Sequence, residues 1–175
     1  YVLQYKGRNL AVIEAKSDEK HYTEGLGQAK DYAERLQVRF TYSTNGLQIY
    51  GVDMQTAEEK DVVKYPTPDE LWEATFGEAQ EQERNWRERF SEIPFEDKGG
   101  QWQPRYFQHN AITKTLDAIG QGKDRILLTM ATGTGKTSIA CQIAWKLYHS
   151  RWNLRDWREG IREWQEPGRR PRILF

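Results

Sequence analysis

Residues 125–137, Arg-Ile-Leu-Leu-Thr-Met-Ala-Thr-Gly-Thr-Gly-Lys-Thr, constrain this chain more than any other stretch, because they join an apolar run to a glycine turn and then to a helix pattern. Ile126, Leu127 and Leu128 read as a short parallel strand covered on both faces. Gly133, Thr134 and Gly135 let the backbone curl so that its N–H groups face a polyphosphate, and the positive end of the helix expected over residues 138–148 faces the same anion. Lys136 would reach the β and γ phosphates, and the Thr137 hydroxyl would serve Mg²⁺. The pattern predicts that the chain binds a nucleoside triphosphate, taken here to be ATP.

The strict phosphate-loop rule wants glycine at position 130, where this chain has Met130 followed by Ala131. The form Ala-x-x-Gly-x-Gly-Lys-Thr resembles motif I of superfamily 2 helicases and translocases, which does without that first glycine. Upstream, Pro104-Arg105-Tyr106-Phe107-Gln108 opens a helix expected to run to about Ile119 and to close at Gly120. This arrangement resembles the adenine-recognising Q motif of the same superfamily. The resemblance implies Gln108 as base reader, since an amide can pair with the N6 and N7 edge of adenine, and Arg105 or Tyr106 as stacking platform.

The N-terminal third carries a different chemistry. Residues 1–5 and 10–16 read as two strands around Lys6-Gly7-Arg8-Asn9. Strand alternation puts Ala11, Ile13 and Ala15 on one face, and Leu10, Val12, Glu14 and Lys16 on the other. Glu14 would offer a carboxylate oxygen to Mg²⁺ while Lys16 steadies the attacking water or the charge developing on phosphorus; an ordinary ion pair is the plain alternative. Residues 23–37 follow as an amphipathic helix with Leu26, Ala29, Ala33 and Leu36 on one stripe, and with Gln28 and Tyr32 four apart on its flank. A hairpin ending in Glu-x-Lys, then a helix with Gln-x-x-x-Tyr, resembles the PD-(D/E)xK nuclease core, and in particular the nuclease domain of type I restriction enzyme R subunits. That resemblance implies catalytic roles for Glu14, Lys16, Gln28 and Tyr32. The family also uses an Asp on the preceding strand; residues 1–5 contain none, and hairpin register puts the expected position just upstream of Tyr1. Residues 38–43 and 47–52 flank Thr44-Asn45-Gly46 as a further hairpin. Tyr42 and Tyr50 on these strands are packing residues by the plain reading and DNA contacts by the sharper one.

Between these parts the chain changes character. Residues 53–100 carry a net charge of −8, whereas residues 101–150 carry +4. Pro66 and Pro68 interrupt the chain, and Trp72, Phe76, Ala79, Trp86, Phe90 and Ile93 then recur at helical spacing up to Pro94 and Gly99-Gly100, with Gly77 as a possible break. Seven Trp, nine Tyr and six Phe supply a core, and no apolar run is long enough to span a membrane. A lone Cys141 excludes an internal disulfide and reads as a small buried hydrophobe; His21, His109 and His149 are too scattered for a metal site. In residues 152–171, Leu154, Trp157, Ile161 and Trp164 form a helical stripe, which favours packing over base stacking, and residues 172–175 read as the next strand.

The expected architecture is α/β: a mixed-sheet PD-(D/E)xK nuclease-like domain over residues 1–64, a helical connector over 65–103, and the beginning of a RecA-like parallel-sheet P-loop domain over 104–175. Nuclease followed by superfamily 2 motor resembles the R subunit of a type I restriction-modification enzyme. The resemblance implies ATP-driven translocation, Mg²⁺-dependent cleavage of double-stranded DNA, and methylation and specificity subunits as partners; a sequence with no visible targeting segment or long apolar run fits a cytoplasmic location and no membrane. The chain reads as an internal piece of something longer, lacking Walker B, an arginine finger and a second motor lobe. Other readings are a type III-like or different helicase-nuclease, an ATP-dependent remodeller with an inactive nuclease, and a purely structural nucleotide-binding module.

Overall fold

The computed structural model describes residues 1–152 apart from Lys98 and Gln101, and divides the chain into two compact units, Tyr1–Ala79 and Gln80–Phe175. The expected strand over residues 172–175 and the stripe over 154–164 lie outside the described residues.

The first unit is a five-stranded sheet in the order β1-β2-β3-β4-β5. Its strands are β1 (Val2–Tyr5), β2 (Arg8–Ala15), β3 (Phe40–Thr44), β4 (Ile49–Asp53) and β5 (Glu59–Val62). Only β2 and β3 are parallel; the remaining pairs are antiparallel, so the sheet is mixed as expected. The charged strand β5 was not legible, because Glu59, Lys60 and Asp61 offer no apolar alternation.

A parallel pair needs a crossover, and α1 (Leu26–Leu36) supplies it. Ala29 and Ala33 are fully buried, which lets the helix lie close on Val12, with Val38 and Leu36 beside it. The opposite sheet face buries Ala11 and Tyr42 against Leu71 and Trp72 of α2 (Pro68–Phe76). Tyr42 is 4% exposed, stands edge-on to Tyr65 at 5.4 Å and has its pKa pushed up to about 12 by burial; the packing reading holds for it and the DNA-contact reading does not. Helix α2 starts as its sequence demands: Thr67 accepts from the Glu70 amide while Glu70 accepts from the Thr67 amide, with Pro68 at the first turn.

The second unit packs α3 (Glu81–Glu92), α4 (Tyr106–Gly120) and α5 (Lys136–Ser150) around Trp86, Phe90, Ile112, Leu116, Ile139 and Leu147. Arg87 joins α3 to α4 through Asp117 at 3.3 Å and is held within α3 by Glu83 at 2.5 Å. The helical connector expected over residues 65–103 is thereby split: Trp72 and Phe76 pack on the sheet of the first unit, Trp86 and Phe90 in the core of the second. The helical stripe was real, but its two halves face different neighbours.

Two expectations fail in this unit. Residues 125–130 form no strand, and Ile126, Leu127 and Leu128 are 39%, 89% and 40% exposed. An extended segment becomes a buried strand only beside a hydrogen-bonding neighbour. Among the described residues the second unit has no other strand to provide one. Cys141 is exposed rather than buried, because it lies on the outer side of α5 while Ile139 and Leu147 take the core. Among the described residues no His/Cys/Asp/Glu group could hold a metal by itself, and no helix is long and apolar enough to cross a membrane.

An Arg39–Asp53 fork fastens the first unit. Arg39 Nε lies 3.0 Å from both Asp53 oxygens and Nη2 2.7 Å from Oδ2, while Nη1 donates to the Ala74 carbonyl of α2. The Arg39 hydrogen bonds hold the Asp53 pKa below its ordinary value. A depressed carboxylate pKa gives stability that is present above the unfolded-state value of about 4 and disappears as pH falls through the folded value. Asp53→Asn should therefore cost about 1–3 kcal/mol in urea denaturation at neutral pH, with the gap from wild type closing as pH drops below about 4.

Candidate functional site

Each unit carries one cluster of chemically useful side chains. In the first unit the cluster sits at the C-terminal end of β2. Glu14 and Lys16 leave the sheet on the same face, and Lys16 Nζ lies 2.7 Å from Glu14 Oε1 and 2.5 Å from Gln28 Oε1. Both side chains are about one-fifth exposed, so the pair is screened from bulk water but reachable from it. The Lys16 amide continues the parallel ladder by donating to Thr44 O at 2.9 Å, which holds the pair at the strand end.

Three of the four residues expected here, Glu14, Lys16 and Gln28, are thus brought together. Tyr32 lies one helical turn beyond Gln28 and is 45% exposed, outside that hydrogen-bonded group. Sequence reasoning missed two further members. Ser43 is the register partner of Glu14 across the parallel ladder, is fully buried and donates to Tyr22 O at 2.6 Å. Gly25 begins α1 at a point where a methyl group would come within 2.8 Å of Glu14 Cγ, 3.0 Å of Ser43 Oγ and 3.3 Å of Lys16 Cε. The signal that could have found Gly25 is its position directly before the apolar stripe of a helix returning over the sheet.

In the second unit the cluster is the loop before α5. Gly133 and Gly135 have φ of +80° and +79°, and Gly135 caps α5, so the turn after Met130 curls as expected. Thr134 Oγ1 closes it by donating to Ala131 O at 2.7 Å. Lys136 Nζ lies 3.3 Å from Met130 O and 3.1 Å from Ala131 O, and Thr137 is exposed at the helix start. Gln108 is nine-tenths buried against this loop: its Nε2 donates to Thr134 O at 3.0 Å, and its Oε1 accepts from the Arg105 amide at 2.9 Å. A Cβ on Gly135 would meet Gln108 Nε2 at 2.7 Å. Arg105 and Tyr106 are exposed at the start of α4, beside that amide. The structure therefore gathers the loop and Gln108, and leaves the two expected stacking residues open to solvent.

The fold has a solved counterpart. A fragment structure described as an HsdR subunit of a type I restriction enzyme from Vibrio vulnificus YJ016 superposes with a TM-score of 0.71 and 43% identity, covering 82% of this chain and 27% of that one. The endonuclease subunit of the type I restriction enzyme EcoAI from Escherichia coli is 39% identical over 165 residues, 86% of this chain. The chain is a homologue of type I restriction enzyme R subunits. The endonuclease subunit of the type I restriction enzyme EcoKI from Escherichia coli strain K12 is similar at 33% identity over 131 residues, 67% of the chain. A family model described as the res subunit of type III restriction enzymes matches residues 101–155, which include the loop of the second unit. The chain spans 19% of the EcoAI subunit and 10% of the EcoKI subunit, so it corresponds to a limited part of these R subunits.

The close approach at Gly25 makes a direct test of how the first cluster is built. Gly25→Ala should lower the unfolding free energy by about 1–3 kcal/mol, since Glu14, Ser43 and Lys16 all crowd the added methyl. Gly27→Ala, inside α1 where an added Cβ meets nothing within 4 Å, should instead raise stability by about 0.4–1 kcal/mol in the same thermal denaturation series.

Proposed function

We propose that this chain is the part of a type I R subunit in which a Mg²⁺-dependent DNA phosphodiesterase is followed by the opening of an ATP-driven motor. The observation that carries the reading is the Glu14–Lys16–Gln28 group, gathered from a strand end and a crossover helix with 2.7 and 2.5 Å hydrogen bonds. Glu14 suits Mg²⁺, a hard cation that needs only one or two protein carboxylates because water and substrate phosphate oxygens supply the rest. Once bound there, the ion would contribute Lewis-acid polarisation of the scissile phosphate.

The protein groups have separate tasks. The Lys16 ammonium holds positive charge where negative charge grows on phosphorus as water attacks, and Gln28 Oε1 orients that ammonium from the helix. Tyr32, on the same flank of α1, is assigned to the DNA side of the site. Antiparallel pairing sets Tyr1 beside Ile13, through Ile13 N to Tyr1 O at 2.9 Å. One further step along this ladder lies opposite Glu14, where a carboxylate on a residue preceding Tyr1 would share its face. That is the position the nuclease family gives to its Asp.

In the second unit we assign ATP to the loop at Gly133, Thr134 and Gly135, with Lys136 on the β and γ phosphates and Thr137 on the nucleotide's Mg²⁺. Gln108 keeps one N–H and one lone pair for adenine beyond its bonds to Thr134 O and the Arg105 amide, and the exposed Arg105 and Tyr106 stand ready to cover the base. Lys136 would exchange the Met130 and Ala131 carbonyls for phosphate oxygens. Double-stranded DNA as track, and methylation and specificity subunits as partners, follow from the same assignment. The type III model match over residues 101–155 favours a type III-like helicase-nuclease as second reading, though the relatives that match across both units are type I subunits.

In the full-length subunit, Lys16→Ala should lower Mg²⁺-dependent DNA cleavage by about a hundredfold or more while leaving ATP hydrolysis intact. Lys136→Ala should remove ATP hydrolysis, measured by phosphate release, and cleavage that depends on translocation should go with it. Cleavage by Lys16→Ala at the wild-type rate would defeat the nuclease assignment.

A further inference from the structure

The row of side chains that contains Glu14 continues across the sheet. In register, Glu14 pairs with Ser43, Ser43 with Tyr50 and Tyr50 with Asp61, and residues directly opposite one another share a face. Tyr50 is therefore two strands from Glu14, on the order of 10 Å away. Above this row lies the segment between β2 and α1, pinned where Ser43 donates to Tyr22 O at 2.6 Å and Asn45 Nδ2 donates to Lys20 O at 3.0 Å.

That pinning sets three rings over the sheet face that also carries Glu14. The Tyr22 ring is 6.2 Å from Tyr50, and the His21 ring is 4.4 Å from Tyr22, tilted by 33°. His21 is exposed and the two tyrosines half-buried, and none of the three belongs to the unit's buried clusters. Their polar ends are occupied: the Tyr22 hydroxyl bonds to Asp61, which raises its pKa, and the Tyr50 hydroxyl lies 3.4 Å from Glu59, itself paired with Lys30. Hydroxyls held by carboxylates orient the rings, which lowers the entropy cost of stacking something on them.

We propose that Tyr22 and Tyr50, with His21 beside them, form a ledge on which bases of an unpaired DNA strand stack next to the Glu14–Lys16 site. The inference rests on the nuclease reading and narrows its substrate to a locally opened segment. Aromatic rings accept any base by its face, so the ledge positions a strand without reading sequence. Bases locked in a closed duplex cannot reach such a surface without unstacking.

The test compares fluorescence anisotropy of the 175-residue chain on single-stranded and duplex oligonucleotides of one sequence, with Ca²⁺ replacing Mg²⁺. Wild type should bind the single strand more tightly, and Tyr22→Leu or Tyr50→Leu should each reduce that affinity by about tenfold while duplex affinity stays level. Tyr22→Phe should retain the preference, and thermal denaturation checks that every variant is folded. A wild type without single-strand preference, or folded leucine variants that keep it, would overturn the ledge. Cleavage by the full-length Lys16→Ala protein separates the two ideas: lost cutting with an unmoved binding ratio leaves the nuclease reading standing and removes the ledge, whereas wild-type cutting removes the nuclease reading and the ledge with it.

Discussion

Parallel pairing of β2 with β3 governs the first unit. Two parallel neighbours cannot be joined by a tight turn, so the chain must leave the sheet, cross it and return, and α1 is that crossing. The return places the start of the helix over the end of β2. There Gly25 leaves room for the Glu14 and Lys16 side chains, and Gln28 reaches Lys16 within the first turn. Ala29 and Ala33 bring the helix close enough for these contacts, because larger side chains at fully buried positions would lift it from Val12. Small residues under the helix are thus as much a part of the site as its charged ones.

On the function proposed above, both clusters would manage phosphate charge, with different materials. In the first unit the charge comes from side chains: a carboxylate suited to a divalent cation, and an ammonium oriented by an amide. In the second it comes from backbone N–H groups at the start of α5, reinforced by Lys136. The backbone solution demands positive φ at Gly133 and Gly135, and Gln108 closes over the turn through Thr134 O. A mainly hydrogen-bonded loop can hold its shape while Lys136 trades carbonyl partners for a ligand's oxygens.

Much of this was legible from residue order. The Glu-x-Lys spacing on a strand, the apolar stripe of α1, the chain break at Pro66 and Pro68 and the Gly-Lys-Thr turn are local patterns whose physics acts within a few residues. Where the reading failed, the deciding partner was distant in sequence or not of the expected kind. Residues 126–128 have the composition of a buried strand but no neighbour among the described residues, so they stay exposed. Cys141 is turned outward by the way α5 meets α3 and α4, and the single run of aromatic residues over 72–93 divides between two cores.

The sequence by itself determined which reactive groups this protein carries, since carboxylate, ammonium, amide and glycine turn are fixed by residue type and short spacing. Only the tertiary structure decided which of those groups meet. Lys16 reaches Gln28 and not Tyr32, Ser43 and Gly25 enter the first cluster, Tyr42 is withdrawn into packing, and Tyr22 and Tyr50 share a row with Glu14. Each of these outcomes depends on strand register and on how closely a helix approaches the sheet. Both are set by packing between residues far apart in the chain, which local pattern does not encode.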